Sequence, residues 1–212
     1  MIRLYGYWRS SAAYRVRIAL ALKQVPCDSI DVSLIDGSQR ATGNLARNPQ
    51  GFVPTLEVDG TPLTQSLAII DWLDTAYPDP RLIPADPLSR AKTLALALVV
   101  VADIHPVDNL RVLKRLEAQF GADQAAKDAW YRHWVAEGFA ALETMAVADR
   151  DTGPFLGGAA PDLADVCLVP QMYNARRFDL PLDAYPRLVV ADAAAQALPA
   201  FAAAHPDRTK PA

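Results

Sequence analysis

The 212 residues are 51% apolar and 21% charged, enough to bury a substantial core in one large or two smaller domains and unlike the composition of a disordered chain. A net charge of −3 gives no electrostatic reason to expect nucleic acid as a partner. The two cysteines, Cys27 and Cys167, are far apart and form no CxxC pair, so they read as small buried hydrophobes rather than a disulfide or a metal site.

Arg3 and Arg9 interrupt any basic-then-apolar leader at the N-terminus. The longest apolar run, Leu94 to Ala102, is short of the ~20 residues a membrane helix needs. The expectation is a cytoplasmic protein with neither membrane nor metal among its partners.

Ile2 to Tyr7 is a short apolar run, read as a strand. Arg9 to Leu22, RSSAAYRVRIALAL, follows with Ser10 or Ser11 at a helix N-cap and Val16, Ile18, Ala19 and Leu22 along one face. The start of such a helix presents unpaired N–H groups and roughly half a unit of positive charge, which stabilises an anion or a thiolate. By themselves the two serines read as an ordinary cap, and the functional reading needs support from elsewhere in the chain.

Val25 to Leu34 alternates as a half-buried strand does, and 36–47 is polar and loosely helical. NPQGFVP at 48–54 leads into a strand at Thr55 to Val58, a tight turn at Asp59-Gly60 and a short edge strand at Pro62-Leu63. Ser66 caps the next helix, whose apolar face is Ile69, Ile70, Leu73 and Tyr77, and Pro78 and Pro80 stop it.

The order β-α-β-α-β-β-α over 1–80 describes a compact α/β unit resembling thioredoxin. A proline-rich linker, 81–87, follows. From 88 to 212 every pattern is helical. Leu94 to Phe120 reads as one long helix bent at Pro106, and a second helix places Trp130, Trp134, Leu142 and Met145 in the core. Asp162 and Asp165 form a capping box before a helix running to Arg176, Arg177 and Phe178. A last helical region spans Pro186 to Ala204, with a frayed tail from His205 on.

A thioredoxin-like unit keeps its thiol at the turn into the first helix, and here that turn reads Ser10-Ser11-Ala12-Ala13. With no cysteine there, sulfur chemistry has to arrive with a ligand, and glutathione is the candidate.

RSSxxYRVRIAL at 9–20, NPQGFVPTL at 48–56 and QSLAIIDWL at 65–73, in that order and spacing, resemble the glutathione transferases. Within them the chain is most similar to the zeta class, the maleylacetoacetate and maleylpyruvate isomerases. DIHPVDNLRVL at 103–113, FGAD at 120–123, DLADVCLVPQ at 162–171 and ARRF at 175–178 extend the likeness over nearly the whole chain.

The resemblance implies a thioredoxin-like glutathione-binding domain at 1–80 and an all-helical domain at 88–212 that contributes the substrate pocket. It implies that Ser10, with Ser11 beside it, hydrogen-bonds the glutathione sulfur, and that Pro54 is cis and presents the backbone of Val53 to the cysteinyl part. Gln65 and Ser66 would hold the γ-glutamyl carboxylate, Gln50 the glycyl end, and His105 a further part of the peptide. Arg9, then Arg111 and Arg177, would bind a dicarboxylic keto-acid substrate and the charge of its adduct. Arginine suits that task because its planar fork makes bidentate, charge-assisted bonds. Arg15 and Arg17 are left as structural or surface groups. The implied reaction is glutathione-dependent cis–trans isomerisation of a maleyl keto acid in aromatic-compound or tyrosine catabolism, carried out by a homodimer joined over the apolar Leu94 to Val101 face.

Two departures stand out. Ala12 occupies the position where zeta motifs commonly carry cysteine, and Tyr14 the position of a frequent tryptophan. The alternatives are a transferase that conjugates electrophiles, with Tyr7 as sulfur ligand, and a non-catalytic binding protein that retains the fold.

Overall fold

The computed structural model describes residues 1–148 and 153–211. The chain divides into one unit of residues 1–82 with those from 197 on, and a second unit of residues 83–196.

In the first unit the elements are β1 (Ile2–Gly6), α1 (Ser11–Leu22), β2 (Asp28–Asp31), a 3-10 turn at Ser38–Arg40, α2 (Thr42–Arg47), β3 (Thr55–Val58), β4 (Thr61–Thr64) and α3 (Ser66–Ala76). The sheet runs in the order β2-β1-β3-β4, with β1 parallel to β2, β1 antiparallel to β3, and β3 antiparallel to β4. The period of two along β1 sets what covers each face. Gly6 meets α1 so closely that a Cβ there would sit 3.2 Å from the Ala13 Cβ. Tyr5 points the other way, where the Arg47 guanidinium of α2 lies 4.1 Å from its ring centroid. Asp59 and Gly60 both have positive φ, 48° and 85°, as a two-residue hairpin turn between β3 and β4 requires.

Val16, Ile18 and Ala19 of α1 are wholly buried, and the helix packs between α3 and α10 (Pro199–Ala204). At its C-terminus the buried Lys23 Nζ donates to Asp74 Oδ1 (2.8 Å) and to the carbonyls of Tyr77 (2.6 Å) and Pro80 (2.9 Å). Asp74 Oδ1 also accepts from the Leu82 N–H at 2.7 Å. One buried ion pair therefore ties the ends of α1 and α3 to the turn that follows, which contains a second cis proline, Pro80.

The second unit holds α4 (Pro87–Leu98), a π-helical turn at Val99–Ile104, α5 (His105–Asp108), α6 (Leu110–Phe120), α7 (Gln124–Ala148), α8 (Leu163–Arg177) and α9 (Pro186–Gln196). α8 is its centre: every residue from Leu163 to Met172 is buried. The capping box at its head is present, with Asp162 Oδ1 accepting from Ala164 N (2.7 Å) and Asp165 Oδ2 from Asp162 N (3.1 Å). Asp165 also accepts from the N–H groups of Leu156 (2.8 Å) and Gly157 (3.0 Å), and Thr93 of α4 donates to Asp162 Oδ2 at 2.6 Å. Burial and the neighbouring Asp162 charge push the Asp165 carboxyl up to about 7, against the pull of those backbone donors.

The structure differs from the sequence reading in several places. Ser66 is the first residue of α3 rather than its cap, Tyr77 is exposed rather than on its apolar face, and Trp130, Trp134, Met145 and Cys27 are half-buried rather than core. The strand expected over Val25 to Leu34 shrinks to Asp28–Asp31, all exposed, because β2 is the edge of the sheet and the buried residues Val25 and Val32 flank it. The expected long helix is not merely bent. Pro106 lacks an N–H and crowds the preceding turn, the backbone loosens into a π turn just before it, and the helix breaks at Asn109, whose ψ is 144°. Trp130 Nε1 donates to the Val107 carbonyl, which this break releases, at 3.0 Å. By length and hydropathy alone Pro87–Phe120 could cross a membrane, yet its Leu96, Ala97, Val100 and Ile104 are buried in the core of this unit.

The supposed linker is anchored as well, since Leu82 and Ile83 are 0% and 2% exposed. The last two differences concern the C-terminus. The single helix expected over Pro186 to Ala204 stops at Gln196, and Pro199, a good first residue for a helix, starts α10. Residues from 197 on join the first unit rather than the helical one, and the tail is not frayed: α11 (Pro206–Thr209) forms, Pro206 is buried and His205 meets the Tyr14 ring edge-on at 6.1 Å. Ala212 lies outside the described residues.

Candidate functional site

Two helix starts in the first unit carry the candidate chemistry. At the first, the Ser10 N–H donates to the Tyr7 carbonyl (3.0 Å), which closes the turn out of β1. Ser10 then takes the N-cap position of α1, its Oγ accepting from the Ala13 N–H at 3.3 Å. A hydroxyl that accepts in this way keeps its own proton to donate outward. Ser11 is the first helical residue and is 7% exposed. Arg9 is half-buried, with its guanidinium 5.2 Å from the Trp8 ring centroid.

At the second, α3 begins without a side-chain cap, so its leading N–H groups are open to an external anion. Gln65, at the cap position, has φ 69° and ψ 117°, a conformation that non-glycine residues rarely adopt and that clusters at ligand sites. Its Nε2 donates to Gln50 Oε1 at 2.7 Å, joining the loop before β3 to the start of α3. That loop is braced by Asn48, which accepts from Gln50 N (3.1 Å) and donates to the Phe52 carbonyl (3.1 Å). The Val53-Pro54 bond is cis, as expected, and Val53 packs with Tyr5, Tyr7 and Val32.

Ser66 is buried, and Arg15 Nη1 reaches its Oγ at 3.4 Å. Arg15, read from sequence as structural or surface, is among the largest fully buried side chains at 1% exposed. It places a cation behind the start of α3, which adds to the partial charge of the helix. A charged residue on the α1 stripe with Ala19 and Leu22 was the available signal. The Tyr7 hydroxyl is also buried and has no hydrogen-bond partner among the described residues.

The first unit thus collects Ser10, Ser11, Gln50, Val53, Pro54, Gln65 and Ser66, with Arg9 beside the serine pair. Its donor set suits an extended ligand with a carboxylate for α3 and a thiolate for α1.

The remaining expected residues lie in the helical unit. His105 is half-buried at the start of α5. Arg111 is exposed in the first turn of α6, where its N–H donates to the Asn109 cap at 3.2 Å. Arg177 is exposed at the end of α8, its Nη1 donating to Asn174 Oδ1 (3.0 Å) and its guanidinium 5.3 Å from the Phe178 ring centroid. That ring is itself stacked on Tyr131, with centroids 3.7 Å apart.

Residues 4–81 match the family model of the glutathione S-transferase N-terminal domain. The maleylacetoacetate isomerase of Rhizobium meliloti (strain 1021) is 50% identical over 208 residues, which is 98% of this chain and 97% of that protein. A solved maleyl pyruvate isomerase, described as a bacterial glutathione S-transferase of the zeta class, superposes with a TM-score of 0.96 at 43% identity over 98% of both chains. The chain is a zeta-class glutathione transferase. A maleylacetoacetate isomerase from Anaeromyxobacter dehalogenans 2CP-1, solved with GSH bound in its active site, is 45% identical with a TM-score of 0.88, covering 99% of this chain and 96% of its own. In this transferase the position after the serine pair is Ala12, so the head of α1 holds no thiol of its own.

Proposed function

We infer that the chain is a glutathione-dependent cis–trans isomerase that converts maleylacetoacetate or maleylpyruvate to the fumaryl isomer. The observation that carries this reading is the 50% identity, across almost the full length of both chains, with a maleylacetoacetate isomerase. The donor set of the first unit fits glutathione. The uncapped start of α3, with Gln65, Ser66 and the Arg15 cation behind them, suits the γ-glutamyl carboxylate. The backbone of Val53 before cis Pro54 suits the cysteinyl part, Gln50 the glycyl end, and Ser10 the sulfur.

Glutathione, when bound, supplies a thiolate that adds reversibly to the cis double bond, leaving a single bond free to rotate. The protein's own part is electrostatic. Ser10 directs its proton at the sulfur, and the positive end of α1 favours ionised sulfur over neutral. Arg9 offers a fork for a substrate carboxylate and for the negative charge that develops as the double bond is opened. Roles for His105 toward glutathione, and for Arg111 and Arg177 toward substrate, rest on their match to the family motifs. Alanine at each is expected to raise KM for the corresponding ligand more than it lowers kcat.

An absorbance assay of both cis acids, with and without glutathione, tests the reading. Turnover of at least one acid only when glutathione is present is expected, and turnover of neither overturns it. The Tyr7 hydroxyl, without a hydrogen-bond partner among the described residues, favours one second reading, a conjugating transferase that holds the sulfur through Tyr7. Loss of turnover in Tyr7→Phe with full turnover in Ser10→Ala selects it over the first. The reading also includes a cytoplasmic homodimer, supported by the exposed face of Ala95, Leu98 and Ala102 on α4 and the π turn. Sedimentation at micromolar concentration tests it, with a dimer expected and a monomer counting against it.

A further inference from the structure

Beside the turn out of β1, with Tyr7 and Trp8 of that turn in its lining, the first unit contains a cavity of about 190 Å³ at the edge of the sheet. Leu4 and Gly6 of β1 form its apolar floor, Trp8 one wall, and Arg17 of α1, Asp31 of β2 and Thr209 of α11 the polar lining. An apolar cavity of roughly 150 Å³ accepts benzene, so the space suits a ligand of about six to nine heavy atoms.

Arg17 is the internal cation. Its Nη2 donates to the Trp8 carbonyl at 2.8 Å and its Nε to the Ala204 carbonyl at 3.1 Å. Both acceptors are neutral, and no carboxylate of the described residues pairs with the guanidinium. Burial pushes Arg17 down to about 10, which leaves it charged at neutral pH, with its guanidinium 5.2 Å from the Tyr14 ring centroid. Asp31 supplies the opposite charge on the same lining, and burial together with the nearby Asp36 charge pushes its carboxyl up. Lys210, 5.4 Å from the Trp8 ring centroid, adds a second cation beside the wall.

A plain anion entering this space meets Asp31, and a plain cation meets Arg17 and Lys210. A molecule carrying both charges satisfies each side. We propose that the cavity binds a small zwitterion, an α-amino acid with a short side chain, with its carboxylate on Arg17, its ammonium on Asp31 and its side chain over Leu4, Gly6 and Trp8. The site is separate from Gln65 and Ser66 and does not depend on the isomerase reading. It lies behind the turn that leads to Ser10, because the same guanidinium fixes the Trp8 carbonyl.

Isothermal titration of the full chain with L-alanine, acetate and ethylamine, in saturating glutathione so that an amino acid cannot occupy the start of α3, tests the proposal. Saturable binding of alanine is expected, with acetate and ethylamine at least about tenfold weaker. Asp31→Asn, at an exposed position, should weaken alanine about tenfold while leaving acetate unchanged or tighter. Arg17→Lys should weaken alanine and acetate together. No saturable heat up to about 50 mM alanine, equal affinity for alanine and acetate, or unaltered alanine binding in Asp31→Asn would each overturn it. The two variants also identify the site if glutathione itself fails to bind.

Discussion

The Ser10 oxygen accepts from the Ala13 N–H and keeps its own proton to donate, so capping and the proposed contact with sulfur would use different sides of one hydroxyl. Ser10→Ala separates them. Thermal unfolding should lose only about 1 kcal/mol, the usual worth of an N-cap, whereas kcat for the cis acid should fall about 100-fold, the scale of a lost charge-stabilising donor. Asp108 presents a different case, a buried carboxyl with no donor to either oxygen among the described residues. Burial pushes it up to about 8. Between pH ~4 and ~8 the folded chain therefore keeps a proton that the unfolded chain releases. Its contribution to stability is fully present at the acid end of that window and is lost as pH rises through it. Asp165 runs the same way. Asp108→Asn should flatten the fall in melting temperature from pH 5 to pH 9 and raise the melting temperature at the alkaline end. Sequence showed Ser10 as a candidate because cap residues are local, whereas Gln65 and Ser66 followed from the family resemblance; Ser66, read as the cap of α3, is its first helical residue, and Gln65 holds the cap position without a side-chain bond. Arg15 behind Ser66 and the bond from Gln65 to Gln50 were hidden, since each is made by elements brought together only in the fold.

At the scale of elements, two buried carboxylates hold helix ends and the turns beside them in place. Lys23→Met removes the cation from Asp74 and leaves that carboxylate buried beside the Leu82 N–H, with Arg81 3.8 Å away. A cost of about 3–5 kcal/mol is expected in denaturant unfolding. Asp165→Ala deletes the return half of the capping box and strands the N–H groups of Leu156 and Gly157, so a loss of about 3 kcal/mol should follow. The elements themselves were largely legible. Periodicity located α1 and α3, the Asp-Gly pair located the β3–β4 hairpin, and the spacing of Asp162 and Asp165 located the head of α8. What failed was extent. An edge strand keeps few pairing partners, so alternation over ten residues at 25–34 yielded four residues of β2. A proline inside an apolar helical pattern signals disruption without saying whether the chain bends, loosens into a π turn or breaks. Around Pro106 it does the last two.

Over the whole molecule, the boundary after the α/β elements was readable from the prolines, but the return of the chain to the first unit was not. Alanine-rich helices carry little pattern to show what they pack against, and α10 buries Phe201 to 1% exposure while its Ala204 carbonyl accepts from Arg17. Removing the residues from Ala197 on should strip amide-exchange protection from α1 and β1 and leave α8 protected. Equal protection in the full and shortened chains would show that the return segment adds nothing to the first unit. The same arrangement orders events at the ribosome. The sheet and α1 emerge early, yet the segment that closes over α1 is made only after the whole helical unit. A nascent chain therefore carries an unfinished N-terminal half while the helical unit is synthesised, and its ability to grip a ligand should mature only once the return segment has emerged.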